Sequence, residues 1–135
     1  MAVGNVFGYD TYMICEDGFS NVIENGVVIG FQLKIRIANY RGYILSQIED
    51  IKIKVDGDEI PRKDIRFFLD DRTYTLDEME NVYDDRWEIK QIATIICLKQ
   101  GGLSEGQHEI TAEQHIRASY IPMIAASHST KTLTL

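Results

Sequence analysis

The chain has 135 residues, of which 44% are hydrophobic and 26% are charged, as is typical of a folded globular protein. Its 14 Lys and Arg stand against 21 Asp and Glu, and this net charge of -7 disfavours nucleic acids and anionic membranes as partners, because phosphate contacts need clustered cations. No segment has the run of about 20 apolar residues that spans a membrane, and the first residues lack a signal-peptide pattern. We therefore expect one cytoplasmic domain over residues 1–135.

The first long predicted element is a strand in residues 28–40, VIGFQLKIRIANY. Phe31, Leu33, Ile35 and Ile37 would lie on one face and the polar residues between them on the other, as in a half-buried strand. A second alternating segment ends at Asp56-Gly57, a dipeptide that favours a two-residue hairpin turn. Pro61 then places the returning strand at a sheet edge, since proline cannot donate a ladder hydrogen bond.

The middle of the chain predicts one more strand pair and a very short helix. Residues 65–69, IRFFL, alternate like a strand, and Thr75 with Glu78 forms a capping-box pattern for at most one or two helical turns. Residues 93–98, ATIICL, are apolar on both faces, which predicts a central strand covered on two sides. Cys97 would then lie in the core, and we expect both Cys15 and Cys97 to be reduced.

Near the end of the chain, residues 108–121 form the last long alternating pattern. Ile110, Ala112, Gln114 and Ile116 share one face of it, and the tail at residues 126–135 predicts either a frayed end or an added edge strand. Most of the predicted elements are strands, and residues that favour turns lie between them. The sequence therefore predicts an all-β fold, an antiparallel β-sandwich of jelly-roll type.

One pair of residues suggests a metal site. Glu113 and His115 are two apart on one strand face, where both could contact a divalent cation. The alternative is a solvated face on which Arg117 pairs with Glu113. Turn chemistry and helix capping explain most of the acidic pairs, and the sequence has no nucleophile elbow, P-loop or GxGxxG motif. We assign no catalytic residue to this chain.

Aromatic and arginine residues gather in the predicted loops. Such residues are enriched at the centres of protein interfaces, although sugar-binding sandwiches also expose aromatic rings and some rings close the ends of a sandwich. The candidates are Tyr40, Arg41, Tyr43, Arg72, Tyr74, Tyr83, Arg86 and Trp87.

Five motifs in order resemble the small β subunit of bacterial C-glycoside deglycosidases over about residues 18–123. The motifs are GFQLKIRIANYRGYILSQIEDIKIKVDGDEIP, DIRFFLDDRTYTLDEM, DDRWEI, GGLSEGQHEI and IRASYIP. Gln100 stands where this family usually has a proline before its glycine-rich turn.

The resemblance implies a hetero-oligomer with a sugar-isomerase-like TIM-barrel α subunit. That complex cleaves the carbon-carbon bond between a 3-oxo-glucosyl group and a flavonoid-type aglycone in a lyase reaction. The acid/base residues and a divalent metal, manganese, belong to the α subunit, so this chain alone would be inactive and would hold no cofactor.

Under this interpretation Tyr40, Arg41, Gly42 and Tyr43 form a tight protruding loop that docks on the α subunit, with Arg86 and Trp87 as further anchors. Gly42 would let the backbone turn sharply between two rings. Arg72 and Tyr74 complete the candidate interface. Two alternatives remain open, a carbohydrate-binding module with Trp87 in its site and an independent metal-dependent sugar enzyme that uses His115.

Overall fold

The computed structural model describes residues 13–38, 41–117 and 124–135. Among these residues it has one α-helix, α1 (Leu76–Met79), and two 3-10 helices, Leu45–Gln47 and Arg62–Asp64; no helix there is long and apolar enough to cross a membrane. The strands are β1 (Ser20–Glu24), β2 (Val27–Ile35), β3 (Tyr43–Ile44), β4 (Ile48–Val55), β5 (Asp58–Glu59), β6 (Ile65–Leu69), β7 (Arg72–Thr75), β8 (Arg86–Trp87), β9 (Ala93–Leu98), β10 (Gln107–Arg117) and β11 (Ile124–Thr134).

Two antiparallel sheets form the fold, which confirms the predicted all-β sandwich. The larger sheet has the order β1-β2-β9-β6-β7, and the smaller has the order β11-β10-β4-β5. β3 and β8 make a separate two-stranded sheet. The inward-facing apolar residues of both large sheets belong to one buried cluster, so the core lies between them.

Local sequence signals account for several of these elements. Phe31, Leu33 and Ile35 of β2 are fully buried, as their alternation predicted. Asp56 and Gly57 both have positive φ angles, 50° and 89°, in the turn that joins β4 to β5, and β5 lies at the sheet edge. The capping box of α1 is also confirmed, because the Thr75 hydroxyl accepts from the Glu78 amide at 3.1 Å.

β9 differs from its prediction. It is the central strand of the larger sheet, and Ala93, Ile95 and Cys97 are fully buried on its inner face. Its outward residues Ile96 and Leu98 are only half-buried, so the predicted cover on a second side is wrong for the described part of this chain. The tail, in contrast, forms β11, a complete edge strand along β10.

A buried histidine joins the β4–β5 turn to the start of β10. The Nδ1 atom of His108 lies 2.7 Å from a carboxylate oxygen of Asp56, and Nε2 lies 2.7 Å from the carbonyl oxygen of Ser104. A neutral imidazole has one donor, whereas both nitrogens here face acceptors, so this geometry favours the imidazolium. The hydrogen bonds with Asp56 and Ser104 accordingly raise the pKa of His108, and the one with His108 lowers the pKa of Asp56.

We expect the stabilisation by His108 to be lost at alkaline pH. Because its pKa is raised in the folded state above the unfolded value of 6.5, the contribution is fully present below 6.5 and declines as pH rises through the folded pKa. Denaturant unfolding at about pH 6 and about pH 9 should therefore give a larger stability difference between the wild type and His108→Gln at the lower pH. An equal stability difference between the wild type and His108→Gln at both pH values would contradict a protonated His108 in the folded protein.

Candidate functional site

Seven of the candidate interface residues converge around the β3–β8 sheet, although they come from three separate parts of the sequence. We call this group, together with Asp85, the rim cluster. Its members are Arg41, Gly42, Tyr43, Arg72, Tyr74, Asp85, Arg86 and Trp87. Tyr40, the remaining candidate of the predicted docking loop, lies outside the described residues.

Two of the three aromatic side chains of the rim cluster belong to the core. Tyr43 pairs with Trp87 across the β3–β8 sheet, and their exposed fractions are 1% and 0%. The Trp87 ring meets Phe67 edge-to-face with centroids 5.2 Å apart, and its Nε1 donates to the carbonyl oxygen of Gln91 at 3.0 Å. Tyr43 and Trp87 therefore expose almost no surface that could serve as an anchor here, because β3 pairs with β8 and the Trp87 ring packs on Phe67 of β6. Their place in a subunit interface stays a prediction. A sugar cannot stack on Trp87 in this conformation.

Gly42 allows a close approach between backbones rather than a sharp turn. It is buried, and it is not among the described glycines with positive φ. A Cβ atom there would lie 2.9 Å from Cα of Glu88 and 2.9 Å from the carbonyl oxygen of Trp87, and closer still to the Glu88 carboxylate. The residue before Tyr43 must therefore lack a side chain for β3 to lie beside β8.

Asp85 organises the polar side of the rim cluster. Its carboxylate accepts from Nε and Nη2 of Arg72 at 2.6 and 2.8 Å, from the Tyr74 hydroxyl at 2.9 Å and from the backbone amide of Arg86 at 2.9 Å. Burial alone would raise the pKa of Asp85, but these donors outweigh it and hold the pKa below its usual value. Sequence analysis missed this role, because nothing in the spacing links Asp85 to Arg72.

Three arginines of the rim cluster reach solvent. The side chains of Arg72 and Arg86 are each 46% exposed, and Arg86 also contacts Glu88 at 3.4 Å. Arg41 is exposed, with its guanidinium 5.6 Å from the centre of the Tyr43 ring. The cluster thus presents arginine side chains above the buried rings of Tyr43 and Trp87, in a chain with a net charge of -7.

The candidate metal residues contact each other. Nε2 of His115 is hydrogen-bonded to the Glu113 carboxylate. Across the parts of the chain that the structure covers, no three His, Cys, Asp or Glu residues are placed to hold a metal ion together. Arg117 lies 3.6 Å from Glu49 and donates to the Ser46 carbonyl, so its predicted pairing with Glu113 is wrong.

The fold and the rim cluster define an all-β sandwich that displays ordered arginines, a surface of the kind used in protein interfaces. Residues 9–120 match the family model described as C-glycoside deglycosidase beta subunit. The chain belongs to this family. The family name implies a hetero-oligomer with another subunit.

Two relatives are similar over most of their length. The C-glycoside deglycosidase beta subunit of Eubacterium cellulosolvens is 33% identical over 108 residues, which cover 79% of this chain and 74% of the relative. The 3'-dehydrocarminate deglycosidase beta subunit of a Microbacterium species is 32% identical over 94 residues, 70% of each chain. A third, from Arthrobacter globiformis, is 31% identical over 58 residues, 43% of this chain and 44% of the relative.

Proposed function

We propose that this chain is the β subunit of a complex that cleaves the carbon-carbon bond between a 3-oxo-glucosyl group and an aromatic, flavonoid-type aglycone. The observation that carries the proposal is the family match over residues 9–120. The similarity to named β subunits of deglycosidases from two further bacterial sources supports it. We place the complex in the cytoplasm.

The chemistry itself belongs to the partner in this proposal, a TIM-barrel α subunit that holds a divalent cation, manganese. Removal of a proton next to the 3-oxo group generates an enolate that a cation can stabilise, and the aglycone carbon leaves as the aromatic ring gains a proton. Both steps benefit from a pocket that excludes water. TIM-barrel sites open at the loops that follow the strands, where a rigid neighbour can enclose them.

In this proposal the chain contributes a rigid surface with exposed arginine side chains to the complex. The Arg72 guanidinium is already fixed by two hydrogen bonds to Asp85, so less side-chain entropy is lost when it meets a partner. Arg41, Arg72 and Arg86 are the solvent-accessible members of the rim cluster, and we assign them to the contact with the α subunit. Tyr43 and Trp87 support that contact from beneath.

Reconstitution tests the function. Co-expressed with a sugar-isomerase-like barrel from the same genome, the chain should form a complex that releases the aglycone from a 3-oxo-C-glucoside, whereas neither protein alone should do so. Liquid chromatography of the aglycone measures the reaction. Turnover by this chain alone, or a stable complex without turnover, would contradict the proposal.

The proposed contact between the rim cluster and the α subunit can be tested by a single substitution. Arg41→Ala should weaken binding to the α subunit by about tenfold, because an interface arginine is worth about 1–2 kcal/mol. Its melting temperature should remain within about 2 °C of the wild type, since exposed side chains change stability little. Titration calorimetry with the α subunit measures the affinity. Lys52→Ala, on the outer face of the smaller sheet, is the matched control and should bind normally. Unchanged affinity of Arg41→Ala for the α subunit would show that Arg41 does not contribute to the interface.

A further inference from the structure

An amide side chain lies in the core, on the inner face of β10. Gln114 shares this face with the buried residues Ile110 and Ala112, and only 1% of it is exposed. β10 is an interior strand of the smaller sheet, where an inward position is ordinarily apolar. Burial of an amide costs free energy unless its polar atoms are hydrogen-bonded. Gln114 therefore needs partners within the core.

Gln114 holds the backbone that follows β2. That strand ends at Ile35, which makes its last pair with β9. Oε1 of Gln114 accepts from the amide of Ala38 at 2.8 Å, and Nε2 donates to the carbonyl oxygen of Arg36 at 2.7 Å. The side chain thus bonds the backbone on both sides of Ile37, as a neighbouring strand would. These bonds join the smaller sheet to the chain that leaves the larger one.

The segment held by Gln114 leads directly into the rim cluster. Arg41 follows Ala38 by three residues, and three residues of chain span at most about 11 Å. On the other side of Arg41, the backbone is fixed where Tyr43 pairs with Trp87. Arg41 is therefore exposed between two anchored points of the chain, and the amide of Gln114 makes the first of them.

Loss of the amide would release this first anchor. Ala38 is only 2% exposed, so its N–H would have to move toward water to replace the hydrogen bond to Gln114. Because the chain between Ala38 and Arg41 is short, such a movement would displace Arg41 as well. A loop that is held at one end also loses more conformational entropy when it binds than a loop that is held at both.

We propose that Gln114 is a positioning residue for the contact with the α subunit. Its amide fixes the backbone at Arg36 and Ala38 and thereby the place at which Arg41 meets the partner. Because Gln114 is buried, it acts on this contact through Arg41 rather than by touching the α subunit. The inference rests on the proposed function.

The test is a double-mutant cycle between positions 114 and 41, measured as affinity for the α subunit by titration calorimetry. Gln114→Met keeps the unbranched shape but lacks the amide, and it should bind about tenfold more weakly than the wild type, as Arg41→Ala does. The double variant should also lose about tenfold rather than about a hundredfold, because both substitutions remove the same contact. If Gln114→Met does not fold, Gln114→Asn, whose amide is one carbon shorter and cannot reach both backbone groups, carries the same expectation.

Hydrogen exchange of the Ala38 amide, followed by NMR, reports on the anchor itself. In the lone chain this exchange should be faster in Gln114→Met than in the wild type, because the acceptor of the N–H is gone.

Ile110→Ala is the matched control for damage to the core. Ile110 is fully buried on the same face of β10, about 13 Å from Gln114 and opposite Val55, next to the β4–β5 turn. It should lower the melting temperature at least as much as Gln114→Met does. At a temperature where all variants are folded, its affinity for the α subunit should nevertheless stay within about twofold of the wild type, and its Ala38 amide should exchange slowly.

Three results would overturn the proposal. Wild-type affinity in folded Gln114→Met would show that the anchor does not govern binding, and it would leave the proposed function intact. Losses that multiply in the double variant, or an equal loss in Ile110→Ala, would show that Gln114 only stabilises the core. A wild-type chain that binds no barrel subunit would overturn the proposed function together with this inference.

Discussion

Replacing Trp87 with alanine is expected to destabilise the isolated chain by about 3–5 kcal/mol, the cost of truncating a large buried aromatic side chain. Trp87 is fully buried, its ring meets the edge of Phe67, and its indole N–H satisfies the carbonyl of Gln91. Truncation would leave a cavity and an unpaired carbonyl together. Thermal unfolding followed by circular dichroism should show a decrease in melting temperature of about 10 °C or more.

Two further substitutions serve as controls for the Trp87→Ala measurement. Trp87→Phe should cost much less than Trp87→Ala, because it retains most of the ring contact and loses the hydrogen bond. Arg86→Ala, at the adjacent exposed position, should change stability by less than about 0.5 kcal/mol. If Trp87→Ala unfolds at the wild-type temperature and only fails to bind the α subunit, Trp87 is an exposed anchor and its burial in the core is wrong.

Gly30→Ala is expected to be the most damaging small substitution, with a cost of about 3 kcal/mol. Gly30 of β2 lies opposite Leu98 of β9, and a Cβ atom at this position would be 2.0 Å from the carbonyl oxygen of Cys97. That oxygen belongs to the backbone of the central strand, so the clash can be relieved only if β2 and β9 separate. Denaturant unfolding of the purified variant measures the loss.

Gly26→Ala is the matched control for backbone conformation. Gly26 has a φ angle of 79° in the β1–β2 turn, and no atom lies within 4 Å of its added Cβ. The cost should be only about 1 kcal/mol, from the left-handed conformation alone. Equal losses in the two variants would show that the close contact between β2 and β9 does not govern the effect at Gly30.

In the rim cluster, residue type predicted where residues lie in the fold. It did not predict which of their side chains are exposed to solvent. Tyr, Trp and Arg in loops indicated a functional surface, and the fold brings six of those residues together, with Gly42 between two of them. Which of them face solvent depends on β3 pairing with β8 and on the contact of Trp87 with Phe67, both long-range. Asp85 was missed for the same reason, because its partner Arg72 lies 13 residues away on β7.

The sequence by itself determined the long strands β2, β4, β6, β9 and β10, the turn at Asp56-Gly57, the cap at Thr75 and the membership of a family of β subunits, because alternation, turn chemistry and ordered motifs are local properties of the chain. Only the tertiary structure decided that Tyr43 and Trp87 are core residues and that Ile96 and Leu98 are half-buried rather than fully covered. Burial is decided by which strands and sheets pack against each other, and those contacts join residues that are far apart in the sequence.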